Sequence, residues 1–572
     1  MNNMGETQVK TAHPKGLWVL FGTEMWERFN FYGMRAILTL FMVNALMLGE
    51  SNASIIYGGF LALCYLTPLL GGFIADKYLG NRACIILGGT LMAVGQFCLF
   101  YSATIYDTTL GFSKTIFWLG LFVIIFGNGF FKPNISSMVG SLYPPQEKTK
   151  LDSAFTIFYM GINIGALLSQ YFVPLIADVK VNGVQDPNVF KWGYLMAGIA
   201  MVLGTIIFIF LKDKHVISPD GSPIGTKPNR NNTTGEVLDQ AKFAGKSIAF
   251  VTALFFVLFF IFRYLLVGEF GFTNFEIGTL VKGIIYPIIY GAGISLAVLI
   301  LLDSTLTKVE TQRILVIYII SFFIIFFWAA FEQAGSSLTF IASNQTDRNI
   351  MFGWEMPASM VQIFNGICIV LLAVPFSILW DKLRASNREP ISPMKQALGL
   401  AIISLSYFII AHNVKDIGNT GLLAIKWLIL LYFIQSCAEL CLSPIGLSLV
   451  GKLAPRRFAS LLYGVFFISN AAGYALAGTL GALIPATGDK FNKAKELGID
   501  LQAVLDKTVV PTAEQLQLLD KNQIMNHNPV FAGFEIHNLY EFFMVFVVLT
   551  GIAAIILFAL TPFLKKMMHG VR

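Results

Sequence analysis

The sequence predicts an all-α membrane protein built as two six-helix bundles with two further helices between them, about fourteen transmembrane helices in all. Three observations lead there. Of 572 residues, 56% are hydrophobic and 13% charged, and the mean hydropathy is +0.69, far more apolar surface than one soluble core hides. Apolar runs long enough to cross ~30 Å of hydrocarbon, ~20 residues each, recur from one end of the chain to the other. Two stretches from opposite halves also echo each other at a constant offset, the mark of a duplicated bundle.

Taken in order, the spans read 17–47, 52–79, 83–103, 113–142, 149–175 and 192–211, then 244–266 and 276–302, then 312–343, 353–384, 395–413, 421–449, 456–485 and 538–564. The layout is six, two, six. It divides the chain into an N-terminal bundle (1–211), a linker (212–243), two additional helices (244–302) and a C-terminal bundle (303–572) with an insertion near 486–537. Ahead of the first span lie only a few polar residues with Lys10 and Lys15. The span itself is long, charged and without a small-residue cleavage site, so it reads as an anchor and not as a signal peptide. The linker, rich in Pro, Gly, Asn and charge, reads as a cytoplasmic tether. The insertion, polar and partly helix-compatible, reads as a small extracytoplasmic cap.

Charge fixes the expected orientation. With the N-terminus inside, the even-numbered connections and both tails hold 24 of the 40 Lys and Arg residues and the opposite connections hold 11, which supports an N-in, C-in topology and explains the net charge of +7. The remaining five, Arg28, Arg35, Lys132, Arg263 and Lys282, sit within spans and need separate explanations. The echo between halves sets KPNISSMVGSLYP (132–144) against SPIGLSLVGKLAP (443–455), and a shift of a few residues then sets Ser153 and Asn163 against Ser460 and Asn470.

In the first span, FGTEMWERFNFYGMR places Glu24, Glu27, Arg28 and Arg35 inside an otherwise apolar helix. A charge at the centre of a span costs ~2.5–3.5 kcal/mol on insertion scales, so all four must face one another, a partner helix or water. Glu24, Arg28, Tyr32 and Arg35 follow i, i+4, i+8, i+11 on one face, with Glu27 beside them, so carboxylates and guanidinium groups can exchange protons and partners. A static ion-pair network that only fixes packing is the competing reading. Lys132 lies mid-span ahead of Pro133, which frees a backbone carbonyl and opens the helix locally. A carboxylate such as Glu27 can pair with it, and a substrate carboxylate can compete. Tyr159 and Asn163 lie i, i+4 between Gly161 and Gly165, where helix–helix packing is the alternative to a pocket role.

In the second half Glu332, one turn after Trp328, and Glu439, one turn before Ser443 and Pro444, are acids without a basic neighbour on their own helix. If the halves face each other, Arg35 and Lys132 look across at Glu332 and Glu439. Such a cavity suits a substrate with an amine at one end and a carboxylate at the other, a peptide or an amino acid. A carboxylate that holds either a proton or a salt bridge also gives a means of coupling. None of the six histidines lies mid-span, the six cysteines fall inside apolar segments as packing residues, and no metal-ligand spacing, phosphate loop or nucleophile elbow appears. A metal, a cofactor, ATP-driven work, catalysis and nucleic-acid binding are therefore not expected.

These residues resemble the proton-dependent oligopeptide transporter family of the major facilitator superfamily, over nearly the whole chain. Glu24-Met-Trp-Glu27-Arg28-Phe29 with Tyr32-Gly33 is similar to that family's ExxERF…YG signature, Phe155–Gly165 to its FYxxINxG signature, and GGFIADKYLG to the weaker superfamily motif, in which Asp76 latches helix ends. The resemblance, of the bacterial type because of the two extra helices, implies a major facilitator fold in a bacterial inner membrane, working as a monomer, with di- and tripeptides and protons as partners. It implies that Glu24, Glu27, Arg28 and Lys132 couple the proton, with Glu332 pairing to Arg35 and Lys132 to Glu439 in contacts that break during cycling. Arg35 and Lys132 would meet the peptide carboxylate; Asn163, Asn365 and Glu439, supported by Ser443, its amine; Tyr32, Tyr65 and Tyr159 would line the pocket. Two departures bear on peptide range: Phe31 stands where many members have a second tyrosine, and Phe466 where they usually have a tryptophan, at the position opposite Tyr159 in the repeat and so expected to face the cavity. The alternatives are a same-family symporter for another amino-acid-like or anionic solute, and a non-transporting sensor.

Overall fold

The computed structural model describes residues 13–143, 148–181, 184–218, 220–227, 243–350 and 353–571. Fourteen long helices carry the described chain: α1 (Lys15–Asn44), α2 (Glu50–Ile74), α3 (Asn81–Ile105), α4 (Leu110–Ser141), α5 (Lys148–Ala177), α6 (Phe190–His215), α7 (Gly245–Val267), α8 (Tyr286–Leu301), α9 (Lys308–Phe331), α10 (Ile363–Ala385), α11 (Ser392–Val414), α12 (Ile425–Leu453), α13 (Ala459–Gly481) and α14 (Leu539–Met567). Thirteen helical stretches among the described residues are long and apolar enough to span a bilayer. The helix outside that set is α1, 30 residues long and set apart by Glu24, Glu27, Arg28 and Arg35 in its interior.

Packing follows the six, two, six layout. In the first half α1 packs on α5 and α6, α2 on α4, and α3 on α4 and α6. The second half repeats the scheme, α9 on α13 and α14, α10 on α12, and α11 on α12 and α14. The cross-half contacts are related by the same equivalence: α2 meets α13, and α5 meets α10. This is the two-fold arrangement expected of a duplicated bundle. At the α2–α13 crossing, backbone meets backbone. A Cβ at Gly58 would stand 2.7 Å from Gly478 Cα and 2.7 Å from the carbonyl of Tyr474, so only glycine permits this approach.

Several expected boundaries move, each for a local reason. The span 312–343 is broken. α9 stops at Phe331, a 3-10 turn runs Glu332–Gly335, and a short helix resumes at Ser337–Asn344. Side chains meet the carbonyls at the break, Thr339 donating to Ala334 O (2.7 Å) and Gln333 to Ala329 O (2.9 Å), and Gln333 also reaches across to Ala477 O of α13 (3.0 Å). The span expected from 353 begins only with a 3-10 turn at Ala358–Gln362, because Pro357 holds the chain extended before it. Pro133 does not open its helix: α4 runs through it, and the freed carbonyl of Gly129 faces Gly71 on α2, where a Cβ would overlap it.

The expected linker is also shorter than the sequence suggests. Residues 212–215 belong to α6, and the chain after it folds back onto the α2–α3 turn. There buried Arg82 donates to Ile224 O and Val216 O (2.6 Å each) and pairs with Asp213 (2.6 Å). Residues 228–242 lie outside the described chain. Of the other spanning cations, Arg263 staples the α7–α8 hairpin, donating to Gly283 O (2.9 Å) and pairing with Glu269 (3.3 Å). α8 lies against α2 and α13, where Tyr286 donates to Ile55 O (2.8 Å). The insertion folds as three short helices, Gly488–Glu496, Leu501–Leu505 and Ala513–Lys521, around a small apolar cluster that includes Leu501, Leu505 and Leu519.

Gly58→Leu is expected to lower the stability of the purified protein by ~1–3 kcal/mol in thermal unfolding, the usual cost of overpacking. Gly22→Ala, with nothing within 4 Å of its Cβ, serves as the control and should hold or slightly raise the midpoint. Equal midpoints for the two variants would contradict the backbone contact.

Candidate functional site

Between the halves lies a small cavity of about 110 Å³. Tyr32, Arg35 and Tyr65 line it from the first half, and Trp328, Glu332, Asn365 and Glu439 from the second. At ~30 Å³ per water it has room for a few waters and falls short of the ~300 Å³ at which small-molecule sites begin, so a larger occupant needs the halves to part. Three larger cavities have no ionisable residue of α1 in their walls: about 790 Å³ between α9 and α14, about 410 Å³ beneath the insertion, and about 260 Å³ in an apolar pocket beside Met25, Trp26 and Phe29.

Two charge clusters are stacked along α1. In the first, Arg28 pairs with Glu24 (3.1 Å) and Glu27, all three buried. Lys132, on α4, lies within electrostatic reach of both carboxylates while its ammonium sits 4.1 Å from the Tyr65 ring centroid. Two acids and two bases sum to zero there. In the second cluster, two turns on, Arg35 pairs with Glu332 and donates to the Tyr57 hydroxyl (2.5 Å). Glu439 accepts from Asn365 (3.3 Å), which also donates to Ser436 (3.0 Å). With every group ionised, this second cluster carries one negative charge in excess, which a cationic group or a proton would balance.

Other expected residues sit differently. No ion pair joins Lys132 to Glu439 among the described residues, since Lys132 stays with the α1 acids. Asp76 is exposed in the π-helical turn Ala75–Leu79, and no salt bridge joins it to another of the described residues. Tyr159 and Asn163 lie outside the cavity wall but follow i, i+4, i+11 with Gln170, which lines it. Tyr159 is 55% exposed, and the Asn163 amide donates to its carbonyl (2.9 Å). Phe466 does not face the cavity. It is buried against Gly446 of α12, whose absent side chain gives it room, a Cβ there falling 2.6 Å from Phe466 Cζ. Phe31 stacks on Phe60 in the core. The side chains of Ser443 and Pro444 lie outside the described residues.

The sequence reading missed Tyr57, Gln170, Gln362, Tyr432, Gln435 and Tyr474. Five of them line the cavity and Tyr57 holds Arg35. Periodicity could have found several: Gln435 and Tyr432 precede Glu439 by one and two turns, Gln362 precedes Asn365 by one, and Tyr57 precedes Tyr65 by two. Tyr474 stands alone in an apolar helix and gives no such signal.

The face carrying the N-terminus and most of the Lys and Arg residues is the basic face, and polar links between the halves cluster on the other, outer face. Besides Arg35–Glu332 they include Thr39 to Gly335 O (2.9 Å), Asn344 to Glu50 (2.8 Å), Lys180 to Glu355 (2.7 Å) and Ser359 to Asp178 (2.7 Å). Burial pushes the Glu355 carboxyl up, but its hydrogen bond from Lys180 and the nearby Arg348 outweigh that and hold it below the usual carboxylate range, so this link is ionic at neutral pH. The halves are thus clasped on the outer side, while Tyr159, nearer the basic face, is open.

Two pseudo-equivalent helical bundles around a buried, charged cavity, clasped at one face, have the build of an alternating-access membrane transporter. Comparison with known proteins gives the family. The sequence model of the POT family matches residues 82–497. A peptide transporter of Yersinia enterocolitica is 32% identical over 83% of this chain and 89% of its own, and a di-/tripeptide transporter of Lactococcus lactis subsp. cremoris is 32% identical over 83% and 91%. Among solved structures, a POT family transporter in complex with a thioalcohol conjugated peptide is 26% identical with a TM-score of 0.70, covering 97% of this chain and 98% of that one. The chain belongs to the POT family and is a multi-pass membrane protein with the major facilitator fold.

Glu332→Gln is expected to destabilise the protein by ~3 kcal/mol in thermal unfolding, because it leaves Arg35 buried without its counter-charge, and the double variant Arg35→Met/Glu332→Met should recover at least half of that loss. Additive losses in the double variant would show that the two side chains do not act as a pair.

Proposed function

We propose that the protein imports di- and tripeptides together with protons, the halves rocking about the central cavity to open alternately at the two faces. The observation that carries this reading is the division of charge at the cavity, with Arg35 in its wall and Lys132 behind Tyr65 on the first half and acids Glu332 and Glu439 on the second. A peptide's two ends have the complementary division. Its carboxylate goes to Arg35 and Lys132, and its ammonium to Glu439 with Asn365 and Asn163, between Tyr32, Tyr65, Tyr159 and Trp328. The printed names of the relatives, peptide transporters among them, support the substrate class.

Charge balance supplies the coupling. The Glu24–Glu27–Arg28 cluster is neutral only while Lys132 serves it. When Lys132 turns to a substrate carboxylate, the cluster gains one negative charge in a buried setting, and a proton on Glu24 or Glu27 removes it. Glu332 behaves alike, holding either Arg35 or a proton, so that peptide and proton together loosen the outer clasp. A single charge moved across ~100 mV gains ~2.3 kcal/mol, enough for severalfold to tens-fold accumulation. Asp76, Pro133 and Pro444 serve the motion of the basic-face ends. The division into bundles at 1–211 and 303–572, with the paired helices 244–302 as a peripheral brace, follows from the same mechanism. The protein works as a monomer in a bacterial inner membrane and carries out no chemical transformation.

Proteoliposomes with an inside-alkaline, inside-negative gradient should accumulate dialanine above the level reached without a gradient, and absence of that difference would sink the proposal. Glu27→Gln and Glu332→Gln should each abolish gradient-driven uptake while sparing exchange of peptide across the membrane, and unchanged accumulation in both would remove their coupling role. Glu439→Gln should raise the KM for dialanine at least tenfold, the worth of a charge-assisted hydrogen bond of ~1.5–3 kcal/mol. An unchanged KM would place the amine elsewhere.

A further inference from the structure

At the outer end of α5, Asp178 follows the last helical residue, its N–H still bonded to Pro174 O (2.9 Å). A carboxylate there faces the negative end of the helix dipole, and this one is only 6% exposed, so its own helix gives it no reason to be charged and buried. The reason lies across the gap between the halves. Asp178 Oδ2 accepts two hydrogen bonds from Ser359, one from its backbone N–H and one from its hydroxyl, each 2.7 Å. Ser359 is the second residue of the turn Ala358–Gln362 that begins α10, and that turn, entered through Pro357, has no side-chain cap of its own. Asp178 therefore caps a helix of the opposite half: it satisfies an N–H that the first turn leaves free and sets a negative charge at the positive end of the α10 dipole.

The place of this link in the fold gives it a consequence. The α5–α10 contact is the two-fold equivalent of the α2–α13 contact, where two glycines merely touch. Three and six residues beyond Ser359, the same helix delivers Gln362 and Asn365 to the central cavity, and Asn365 holds Glu439. The cap so ties the end of a first-half helix to the height at which a second-half helix presents its polar side chains. Unlike Glu332, which can trade Arg35 for a proton, Asp178 takes both hydrogen bonds from the uncharged Ser359, with buried Arg348 of the second half within electrostatic reach, and all three lie outside the cavity wall, where a substrate in the cavity does not touch them.

We propose that Asp178 is an outer-gate positioning residue, a cross-half helix cap that holds the start of α10 in the outward-closed arrangement and must be released whenever the cavity opens to the outer face. This rests on the alternating-access reading above, but its test does not require transport. In full-length protein whose native cysteines are replaced, Thr39→Cys, buried at the outer clasp beside Gly335, reports outward opening by its labelling rate with a membrane-impermeant maleimide. Asp178→Asn, which loses the charge, should speed labelling about tenfold. Ser359→Ala, which loses only the hydroxyl, should speed it less, and Asp178→Glu should restore at least part of the slow rate. In uptake assays Asp178→Asn should lower the external KM and kcat together, since more of the protein waits outward-open and each return is slower. Labelling within twofold of the parent in both Asp178→Asn and Ser359→Ala, or faster labelling matched by an equal gain in Asp178→Glu, would overturn the proposal. If uptake is absent in the parent as well, the transport reading fails while the labelling comparison still decides the role of Asp178.

Discussion

A buried charge in hydrocarbon must be matched by another within a few ångströms, and the architecture can be read as successive solutions to that demand. Arg28 is matched twice within its own helix, by Glu24 and Glu27, leaving an excess that Lys132 from α4 makes good. Arg35 finds no acid on its own helix and is matched by Glu332 from the other half. The first solution holds one bundle together; the second can be satisfied only while the two bundles are close. Electrostatic necessity thus becomes a mechanical statement about the distance between halves.

The broken ninth span belongs to the same logic. Ending α9 at Phe331 puts the carboxylate of Glu332 at a helix terminus, where the side chains of Gln333 and Thr339 bond the carbonyls of Ala329 and Ala334 and Ser337 in turn donates to Gln333. Tyr57 adds its hydroxyl to Arg35 from α2, so three helices converge on one ion pair. Elsewhere the structure spends backbone carbonyls in place of carboxylates. Arg82 and Arg263 are both held chiefly by main-chain oxygens, which suits cations with a structural task better than ones that must change partners.

How much could be read from the sequence depended on whether the signal was local. The charges of α1 were conspicuous because lipid makes any ionisable residue costly, and the spans were visible because hydrocarbon thickness sets their length. The break at Glu332 was hidden, since the run from 312 to 343 stays apolar on both sides and the deciding hydrogen bonds come from the folded state. The fold-back on Arg82 was equally hidden: its partners are carbonyls more than 130 positions away in sequence. Phe466 shows a different limit. The internal repeat located it correctly on α13, but which way the ring turns depends on Gly446 of α12 leaving a hole, and a repeat cannot report a hole.

The crossing of Gly58 with Gly478 differs in kind from the other links at the outer face. A salt bridge or a helix cap has a strength, and conditions can raise or lower it. Two glycine backbones in contact have almost none; what they have is a position, because no rotamer can yield on either side. The crossing is an end-stop: it fixes how far the outer face can close, and fixes it alike for every cargo. Discrimination among cargoes then has to come from the groups that meet them in the cavity, and not from how tightly the door behind them shuts.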